Sequence, residues 1–130
     1  MRIVAGSLKG RRLKLASCSE VRPTSERVRE SIFSVIGNYV IGTEAIDLFA
    51  GTGALGIEAL SRGAKSVTFV EKDRALTKNL YSFCSSCGLL SQTAILNMDV
   101  VEAIKLLKRR DSKFDMILLD PPYNSDWIYN

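Results

Sequence analysis

A glycine-rich turn between an apolar run and a helical pattern constrains the fold of this chain more than any other feature. The turn, Gly51–Gly56, has G-x-G-x-x-G spacing and follows the apolar residues 45–50. Glycines at such positions let the backbone turn tightly and approach a ligand, as in the first strand-to-helix turn of nucleotide-binding α/β folds. The turn alone is weak evidence, because a strand-to-helix turn without a ligand can have the same spacing.

From Thr43 onward, short apolar runs alternate with segments of helical periodicity. The expected strands are Ala45–Ala50, Ser66–Val70, Thr93–Leu96 and Phe114–Leu119, and the expected helices between them are Leu55–Arg62, Ala75–Cys87 and Val101 to about Arg109. Because parallel strands need crossover connections, this order predicts an α/β domain with a parallel sheet over residues 43–130. A doubly wound sheet would normally continue, so we expect the sheet to be incomplete on its C-terminal side.

A different pattern precedes the sheet, over residues 1–42, and is expected to form an N-terminal appendage. Arg2–Ala5 and Arg11–Leu15 are expected to pair as a β-hairpin. A helix capped by Thr24 or Ser25 is then expected to continue until Gly37.

Positive charge is concentrated in this appendage. The chain has a formal net charge of +4, and its first 29 residues contain eight Lys and Arg but only two Glu. A basic N-terminal element is typical of nucleic-acid binding, although a solvated surface is the alternative. The residues expected to contact nucleic acid are Arg2, Lys9, Arg11, Arg12, Arg22 and Arg27.

The rare residue types exclude several kinds of site. The chain has no histidine, which excludes a Ser-His-Asp triad, a Cys-His pair and any histidine metal ligand. Cys84 and Cys87 have CxxC spacing, but no second pair completes a four-ligand zinc site, so we interpret them as buried or half-buried thiols and expect no metal. An odd number of cysteines without a signal peptide is typical of the reducing cytoplasm, and no apolar run approaches membrane-spanning length.

Carboxylates at the ends of the first two strands suggest which adenosine ligand is bound. Glu71 closes the second strand, where it could accept the ribose hydroxyls of an adenosine ligand or simply cap the surface. Asp47 precedes the glycine turn by four residues, where it would repel pyrophosphate and favour the ammonium and sulfonium of S-adenosylmethionine. It could also cap the amides of the glycine turn, and both roles can hold at once.

The end of the third strand offers one more acidic side chain. Asp99 could accept the adenine amino group or could be the N-cap of the next helix. The residues expected to bind the donor are Asp47, Gly51, Thr52, Gly53, Glu71 and Asp99.

The most specific signal is Asp120–Tyr123, with the sequence Asp-Pro-Pro-Tyr, directly after the fourth strand. The fourth strand would lie beside the first, which would place Asp120 next to the donor. The Asp120 carboxylate and the Pro121 carbonyl could accept both N–H groups of an exocyclic base amine, with Pro122 keeping the turn rigid and Tyr123 stacking on the base. The alternative is a Pro-Pro turn with a packing tyrosine.

Together these segments resemble a bacterial family that methylates a guanine N2 of small-subunit (16S) ribosomal RNA. The segments that resemble it are Arg2–Gly6, Lys9–Leu13, Arg22–Glu30, Asp47–Gly53, Val70–Asp73 and Asp120–Tyr123. The resemblance implies a class I methyltransferase fold, S-adenosylmethionine as the donor and RNA presented on the small subunit. It implies that Asp120–Tyr123 hold the base, that Glu71 binds ribose, and that Arg22, Thr24 and Arg27 lie near the site entrance. Family members continue beyond this length with the remaining strands.

Three other functions stay open from the sequence. Asp-Pro-Pro-Tyr also occurs in adenine-N6 methyltransferases of DNA or RNA, although asparagine at position 120 would favour these more strongly. A donor-binding chain without turnover is a second alternative, because the sheet is incomplete. A nicotinamide oxidoreductase is the third, and Asp47 and Asp120–Tyr123 disfavour it.

Overall fold

Four helices and four strands alternate in the part of the chain that the computed structural model describes, residues 2–13 and 26–121. The helices are α1 (Glu26–Ile36), α2 (Ala54–Ser61), α3 (Arg74–Ser86) and α4 (Val100–Arg109), and the strands are β1 (Glu44–Asp47), β2 (Ser66–Val70), β3 (Thr93–Leu96) and β4 (Met116–Leu118). Short 3-10 turns cover Gly37–Val40 and Leu90–Gln92. None of the helices among these residues is long and apolar enough to cross a bilayer.

The strands form one parallel sheet in the order β3-β2-β1-β4. The chain winds outward from β1 to β3 and then returns to the other side of β1, so the strand order reverses between β1 and β4. Ligands of open α/β sheets bind outside the carboxyl ends of the strands at such a reversal. The predicted α/β parallel sheet and the pairing of the first and fourth strands are therefore confirmed.

Two strands, β1 and β4, are shorter than expected. β1 ends at Asp47 rather than Ala50 because the chain turns away there, although Leu48 N still donates to Leu118 O at 3.1 Å. β4 begins at Met116 rather than Phe114 because Glu44 N donates to the Asp115 side chain, at 2.9 Å to Oδ2, instead of to a main-chain carbonyl.

The two faces of the sheet are covered by different helices. Ala45, Val67 and Phe69 belong to a hydrophobic cluster with residues of α1, α2 and α3. Ile46 and Val70, which alternate with them along the strands, pack instead with residues of α4. Asp47 follows this alternation onto the α2 side of the sheet, which explains how a carboxylate comes to be buried beneath the glycine turn.

Close packing of α2 on β2 explains the last glycine of the turn. Every residue of α2 is buried. A Cβ added at Gly56 would lie 2.2 Å from Phe69 Cε1, far inside van der Waals contact. Glycine therefore lets α2 approach the sheet closely enough to place its first turn over Asp47.

The N-terminal segment, residues 2–13, does not form the expected pair of strands. It contains one antiparallel bridge between Arg2 and Arg12, with Ile3 N donating to Arg11 O at 2.9 Å. The ladder goes no further because the N–H groups of Val4 and Ala5 donate to the side chain of Glu58 on α2. The predicted extension to Leu15 and the caps Thr24 and Ser25 lie outside the described residues.

The N-terminal segment packs on the same core as the sheet. Ile3, Leu8 and Leu13 are buried and belong to the cluster that contains Val67 and Phe69. Phe33 of α1 belongs to this cluster as well. Residues on both sides of the expected boundary at residues 42 and 43 thus share one core, and the division into two units stays a prediction.

Candidate active site

Three carboxylates meet at the carboxyl edge of the sheet. Asp47 ends β1, Glu71 directly follows β2, and Asp120 lies two residues beyond β4. β1 lies between β2 and β4, so the sheet order brings the three groups to one edge. Burial raises the pKa of Asp47 most, and the negative charges of Asp120 and Glu71 raise it further, as expected for carboxylates close to one another.

Asp47 is a buried carboxylate, and its two oxygens differ in their hydrogen bonding. Its side chain is 1% exposed, and Oδ2 accepts a hydrogen bond from Gly56 N at 3.2 Å. Oδ1 has no hydrogen-bond partner within the described ranges. Burial raises the pKa of Asp47 to about 7, against the lowering effect of the Gly56 hydrogen bond. Capping of the glycine turn is thus observed, and the unpaired Oδ1 keeps the hydrogen-bonding capacity that the second expected role needs.

Glu71 supports the glycine turn from the neighbouring strand. Its Oε1 accepts from Gly51 N at 2.9 Å and its Oε2 accepts from Asp73 N at 2.7 Å. Each carboxylate oxygen can accept more than one hydrogen bond, and Glu71 is half-buried, so capacity remains for ribose hydroxyls. Ribose binding stays a prediction, while the bond to Gly51 is an additional role that the sequence did not indicate.

The glycine turn adopts a conformation that requires glycine. Gly51 and Gly53 have φ of +57° and +88°, in the left-handed region, and Gly53 is the N-cap of α2. A Cβ at Gly53 would lie 2.5 Å from Leu80 Cδ1. Thr52 is buried between them. The turn is therefore fixed both by its backbone and by packing against α3.

The carboxyl end of β3 carries a cap and an unexpected amide. Asp99 is the N-cap of α4, since its Oδ1 accepts from Val101 N at 2.8 Å. Adenine binding by Asp99 stays a prediction. Asn97, which sequence reasoning missed, donates from Nδ2 to the main-chain oxygens of Glu71 and Lys72 at 3.0 and 3.1 Å. A polar residue directly after a strand was the available signal, and here it fixes the loop that carries Glu71.

Only part of the expected base-binding motif lies within the described residues. Asp120 is exposed and Pro121 is half-buried, whereas Pro122 and Tyr123 lie outside the described ranges. A groove of about 400 Å³ between α1 and β4 reaches Asp120. Its lining includes the apolar side chains of Val28, Ile32, Leu55, Met116 and Leu118. This volume is within the usual range of small-molecule sites.

The basic residues of the N-terminal region divide into exposed and buried. Arg2, Lys9, Arg11, Arg12 and Arg27 are exposed, and Arg22 lies outside the described residues. Arg29 belongs to the same basic run of sequence but is fully buried, with its Nε 3.6 Å from Glu58 Oε1. Arg29 therefore does not contribute to the cationic surface, although it lies in the basic run of the sequence. The available signal was its position four residues before Phe33, on the buried stripe of α1.

The cysteines Cys84 in α3 and Cys87 at its C-cap are a buried and a half-buried thiol, as expected. Arg11 Nη1 donates to Cys87 Sγ at 3.7 Å. Burial raises the pKa of the Cys84 thiol to about 11, which keeps it neutral near pH 7. Across the described ranges, no cluster of three or more Cys, Asp or Glu has a geometry that could hold a metal ion.

Comparison with solved structures identifies the class of fold. The chain matches "Putative methyltransferase yhhF from Escherichia coli" with a TM-score of 0.83 and 31% identity, over 99% of this chain and 69% of that one. It also matches "SMU.776, a putative methyltransferase complexed with SAH" with a TM-score of 0.63 and 25% identity, over 74% and 25% of the two chains. The fold and the acidic glycine-turn site define a class I S-adenosylmethionine-dependent methyltransferase. The chain belongs to the family described as conserved hypothetical protein 95, whose family model matches residues 1–130.

Two curated relatives are similar over nearly the whole chain. "Putative rRNA methyltransferase YlbH" of Bacillus subtilis is 42% identical over 123 residues, covering 95% of this chain and 67% of the relative. "Ribosomal RNA small subunit methyltransferase D" of Haemophilus influenzae is 40% identical over 129 residues, covering 95% of this chain and 64% of the relative. The chain thus spans about two thirds of the length of these relatives.

Proposed function

We propose that this chain takes part in transfer of a methyl group from S-adenosylmethionine to the exocyclic N2 of a guanine in small-subunit ribosomal RNA. The observation that carries the proposal is the buried Asp47 carboxylate, whose Oδ1 has no hydrogen-bond partner within the described residues, beneath a glycine turn and beside Glu71 and Asp120. The names of the two curated relatives support ribosomal RNA as the substrate, and one of them supports the small subunit.

The acidic edge of the sheet favours a cationic ligand over a phosphate-bearing one. A pyrophosphate at the start of α2 would lie close to the charges of Asp47 and Glu71, which disfavours a dinucleotide. In this proposal the ammonium group of S-adenosylmethionine donates to the unpaired Oδ1 of Asp47. Glu71 can accept the ribose hydroxyls while keeping its bond to Gly51, and the adenine amino group can lie near Asp99. When bound, S-adenosylmethionine supplies a methyl group on a positively charged sulfur.

The residues after β4 would hold the base amine. The lone pair of an arylamine nitrogen is delocalised into the ring, so the nitrogen is a poor nucleophile and gains most from orientation. The Asp120 carboxylate and the Pro121 carbonyl can accept its two N–H groups. Methylation releases one of these protons, and in this proposal the Asp120 carboxylate accepts it and passes it to solvent. In this proposal Pro122 and Tyr123 complete the pocket by rigidity and stacking.

The exposed cations of the N-terminal region are the proposed contacts to the RNA backbone. Arg2, Lys9, Arg11, Arg12 and Arg27 are exposed, and such cations supply affinity that depends on salt but not on sequence. Arg22 is proposed to join them. A ribosomal RNA substrate places the reaction in the bacterial cytoplasm, on the small subunit.

The proposal is tested by donor binding and by product analysis. Calorimetric titration of the folded chain is expected to show binding of S-adenosylmethionine and no binding of NAD. Radiolabelled donor and small-subunit ribosomal RNA should then yield N2-methylguanine on nucleoside analysis. N6-methyladenine would support the adenine alternative, and donor binding without transfer would support a donor-binding chain without turnover. Binding of NAD alone would contradict the proposal.

Asp47→Asn is expected to weaken donor binding and to stabilise the free protein at neutral pH. The variant keeps an acceptor but loses the charge that meets the ammonium, and a hydrogen bond to a charged group contributes about 1.5–3 kcal/mol, so affinity should fall at least about tenfold. Wild-type affinity should also rise with pH through about 7 as Asp47 ionises, whereas the variant should show no such rise. Calorimetric titration with S-adenosylmethionine between pH 6 and pH 8, roughly a pH unit either side of this pKa, measures the donor affinity of wild type and variant and its dependence on pH.

The stability effect has the opposite sign. The pKa of Asp47 is raised from 3.8 to about 7 on folding, so between these values the folded chain keeps a proton that the unfolded chain has lost. The contribution of Asp47 to stability therefore falls as pH rises through this window. Urea unfolding should show Asp47→Asn to be more stable than wild type above pH 7, with the difference shrinking toward pH 4. If Asp47→Asn binds the donor as tightly as wild type, the role of Asp47 is limited to accepting the hydrogen bond from Gly56 N.

A further inference from the structure

Two side chains of α2 that the proposed reaction does not use hold the N-terminal segment, beside a main-chain bond from Ser7 N to Ser61 O at 2.8 Å. Glu58 accepts hydrogen bonds from Val4 N at 2.8 Å and from Ala5 N at 3.0 Å. Ser61, one helical turn further on, accepts at Oγ from Leu8 N at 2.9 Å and donates to Ala5 O. Main-chain groups of the segment, rather than its side chains, make these bonds.

Helix α1 holds the same segment from the other side. Glu26 Oε1 accepts from Arg2 N at 2.9 Å, and Arg29 Nη2 donates to Arg2 O. Arg29 and Glu58 are both fully buried and face each other across the interface between α1 and α2, with Nε and Oε1 3.6 Å apart. The segment therefore packs against a buried ion pair. Its backbone is held by α1 at Arg2 and by α2 between Val4 and Leu8.

The side chains of the attached segment show the opposite pattern. Arg2, Lys9, Arg11 and Arg12 are all exposed, although the backbone between them is held by buried groups. Exposed cations on a fixed backbone form a basic surface of defined position. A flexible basic arm would instead lose conformational freedom on binding, which lowers its affinity.

The helix that carries the attachment also forms part of the donor site. α2 begins after Gly53 in the glycine turn, and its Gly56 N donates to Asp47. Glu58 lies five residues beyond Gly53, about 7.5 Å along the helix axis. One buried helix thus connects the acidic site to the basic segment in a fixed geometry.

We propose that Glu58 and Ser61 are positioning residues for RNA: they dock the N-terminal segment on α2 so that its cations bind the RNA backbone at a fixed place relative to the donor. This inference rests on the proposed function, because it assumes that the basic surface binds ribosomal RNA. It gives Glu58 and Ser61 a part in substrate affinity, although the proposed methyl transfer itself does not use them.

Two glycines of the segment provide a matched test. Gly6 and Gly10 have nearly equal φ, +85° and +86°, so an added Cβ introduces similar backbone strain at both. At Gly6 the Cβ would lie 1.9 Å from the main-chain oxygen of Ser61, whereas at Gly10 it would meet nothing within 4 Å. Gly6→Ala therefore lifts the segment from α2, and Gly10→Ala controls for strain alone.

The measurement is the affinity of each full-chain variant for an in vitro transcript of small-subunit ribosomal RNA, at several salt concentrations, with S-adenosylmethionine affinity in parallel. Gly6→Ala is expected to bind the transcript at least about tenfold more weakly than Gly10→Ala. Its slope of log affinity against log salt should be shallower, by about 0.7 for each phosphate of single-stranded RNA that the displaced cations no longer neutralise. Donor affinity should be the same in both variants.

The outcomes separate this inference from the proposed function. Equal RNA affinities of Gly6→Ala and Gly10→Ala, with wild-type binding intact, would overturn the docking inference alone. A wild-type chain that binds neither donor nor transcript would overturn the proposed function. If Gly6→Ala loses donor binding as well, Ser61→Ala decides: weaker RNA binding with normal donor binding supports docking, and unchanged RNA binding overturns it.

Discussion

Asp120→Ala is expected to lower the rate of methyl transfer at least about 100-fold, because the variant cannot orient the amine that receives the methyl group. Asp120 is exposed beyond the end of β4, so its removal leaves no cavity in the core. Affinity for S-adenosylmethionine should not fall, since Asp47, Glu71 and the glycine turn are left in place and loss of the Asp120 charge lowers the pKa of Asp47. Single-turnover transfer of labelled methyl to ribosomal RNA measures the first effect and calorimetry measures the second.

Two further variants show whether the role of Asp120 is specific. Asp120→Asn keeps an acceptor oxygen without the charge, so it should retain part of the lost activity if orientation dominates. Glu102→Ala, which removes an exposed carboxylate on α4, is a control for the change in net charge and should transfer at the wild-type rate. Loss of donor binding together with activity in Asp120→Ala would mean that the side chain supports the donor site rather than the base.

The central part of the fold could be predicted because its signals are local. β2 and β3 have the predicted bounds, Ser66–Val70 and Thr93–Leu96, since each is a short run bordered by turn residues. The pairing of β1 with β4 was predicted from the reversal of strand order that open α/β sheets have at their ligand site. The ends of β1 and β4 were harder to predict, because they depend on bonds between residues far apart, such as that of Glu44 to Asp115.

The candidate site was only partly predictable for the same reason. Its carboxylates were found from their places at strand ends, and the comparisons independently support the methyltransferase class. The hydrogen bond from Gly51 N to Glu71 and the role of Asn97 depend on how neighbouring loops meet. The N-terminal segment was predicted as a hairpin because nothing local shows that Val4 and Ala5 bind Glu58, more than 50 residues away.

Glu58 nevertheless had a detectable signal. It is the single charged residue within the apolar stretch of α2 from Leu55 to Leu60. Charged residues are almost never fully buried unless they are paired, so an isolated carboxylate in a buried helix indicates a partner elsewhere in the chain. That partner could not be chosen from sequence among the many arginines. Arg29 lies in a basic run, so the sequence alone groups it with the exposed cations.

Glu58→Ala is expected to lower the free energy of unfolding by about 3–5 kcal/mol, the usual effect of removing one partner of a buried ion pair. The variant leaves the buried Arg29 without its carboxylate and deprives Val4 N and Ala5 N of their acceptors. Arg62 Nε, 2.9 Å from Glu58 Oε2, is partly exposed and can be solvated instead. Urea unfolding at neutral pH measures the loss.

The control is Glu44→Ala, which breaks the exposed pair of Glu44 with Lys65, whose charged atoms are 3.7 Å apart. Exposed pairs contribute about 0.2–1 kcal/mol, so this variant should stay close to wild type. Similar losses in Glu58→Ala and Glu44→Ala would contradict a structural role for the buried pair.

A double variant separates the two contributions to the loss. Replacing Arg29 with Met and Glu58 with Leu removes both buried charges together, which is often neutral or stabilising for an ion pair. If the orphaned charge of Arg29 dominates, this double variant should be more stable than Glu58→Ala alone. If the unsatisfied N–H groups of Val4 and Ala5 dominate, at about 1–3 kcal/mol each, the double variant should be no more stable than Glu58→Ala. The second result would mean that Glu58 stabilises the fold chiefly as an acceptor for the N-terminal segment.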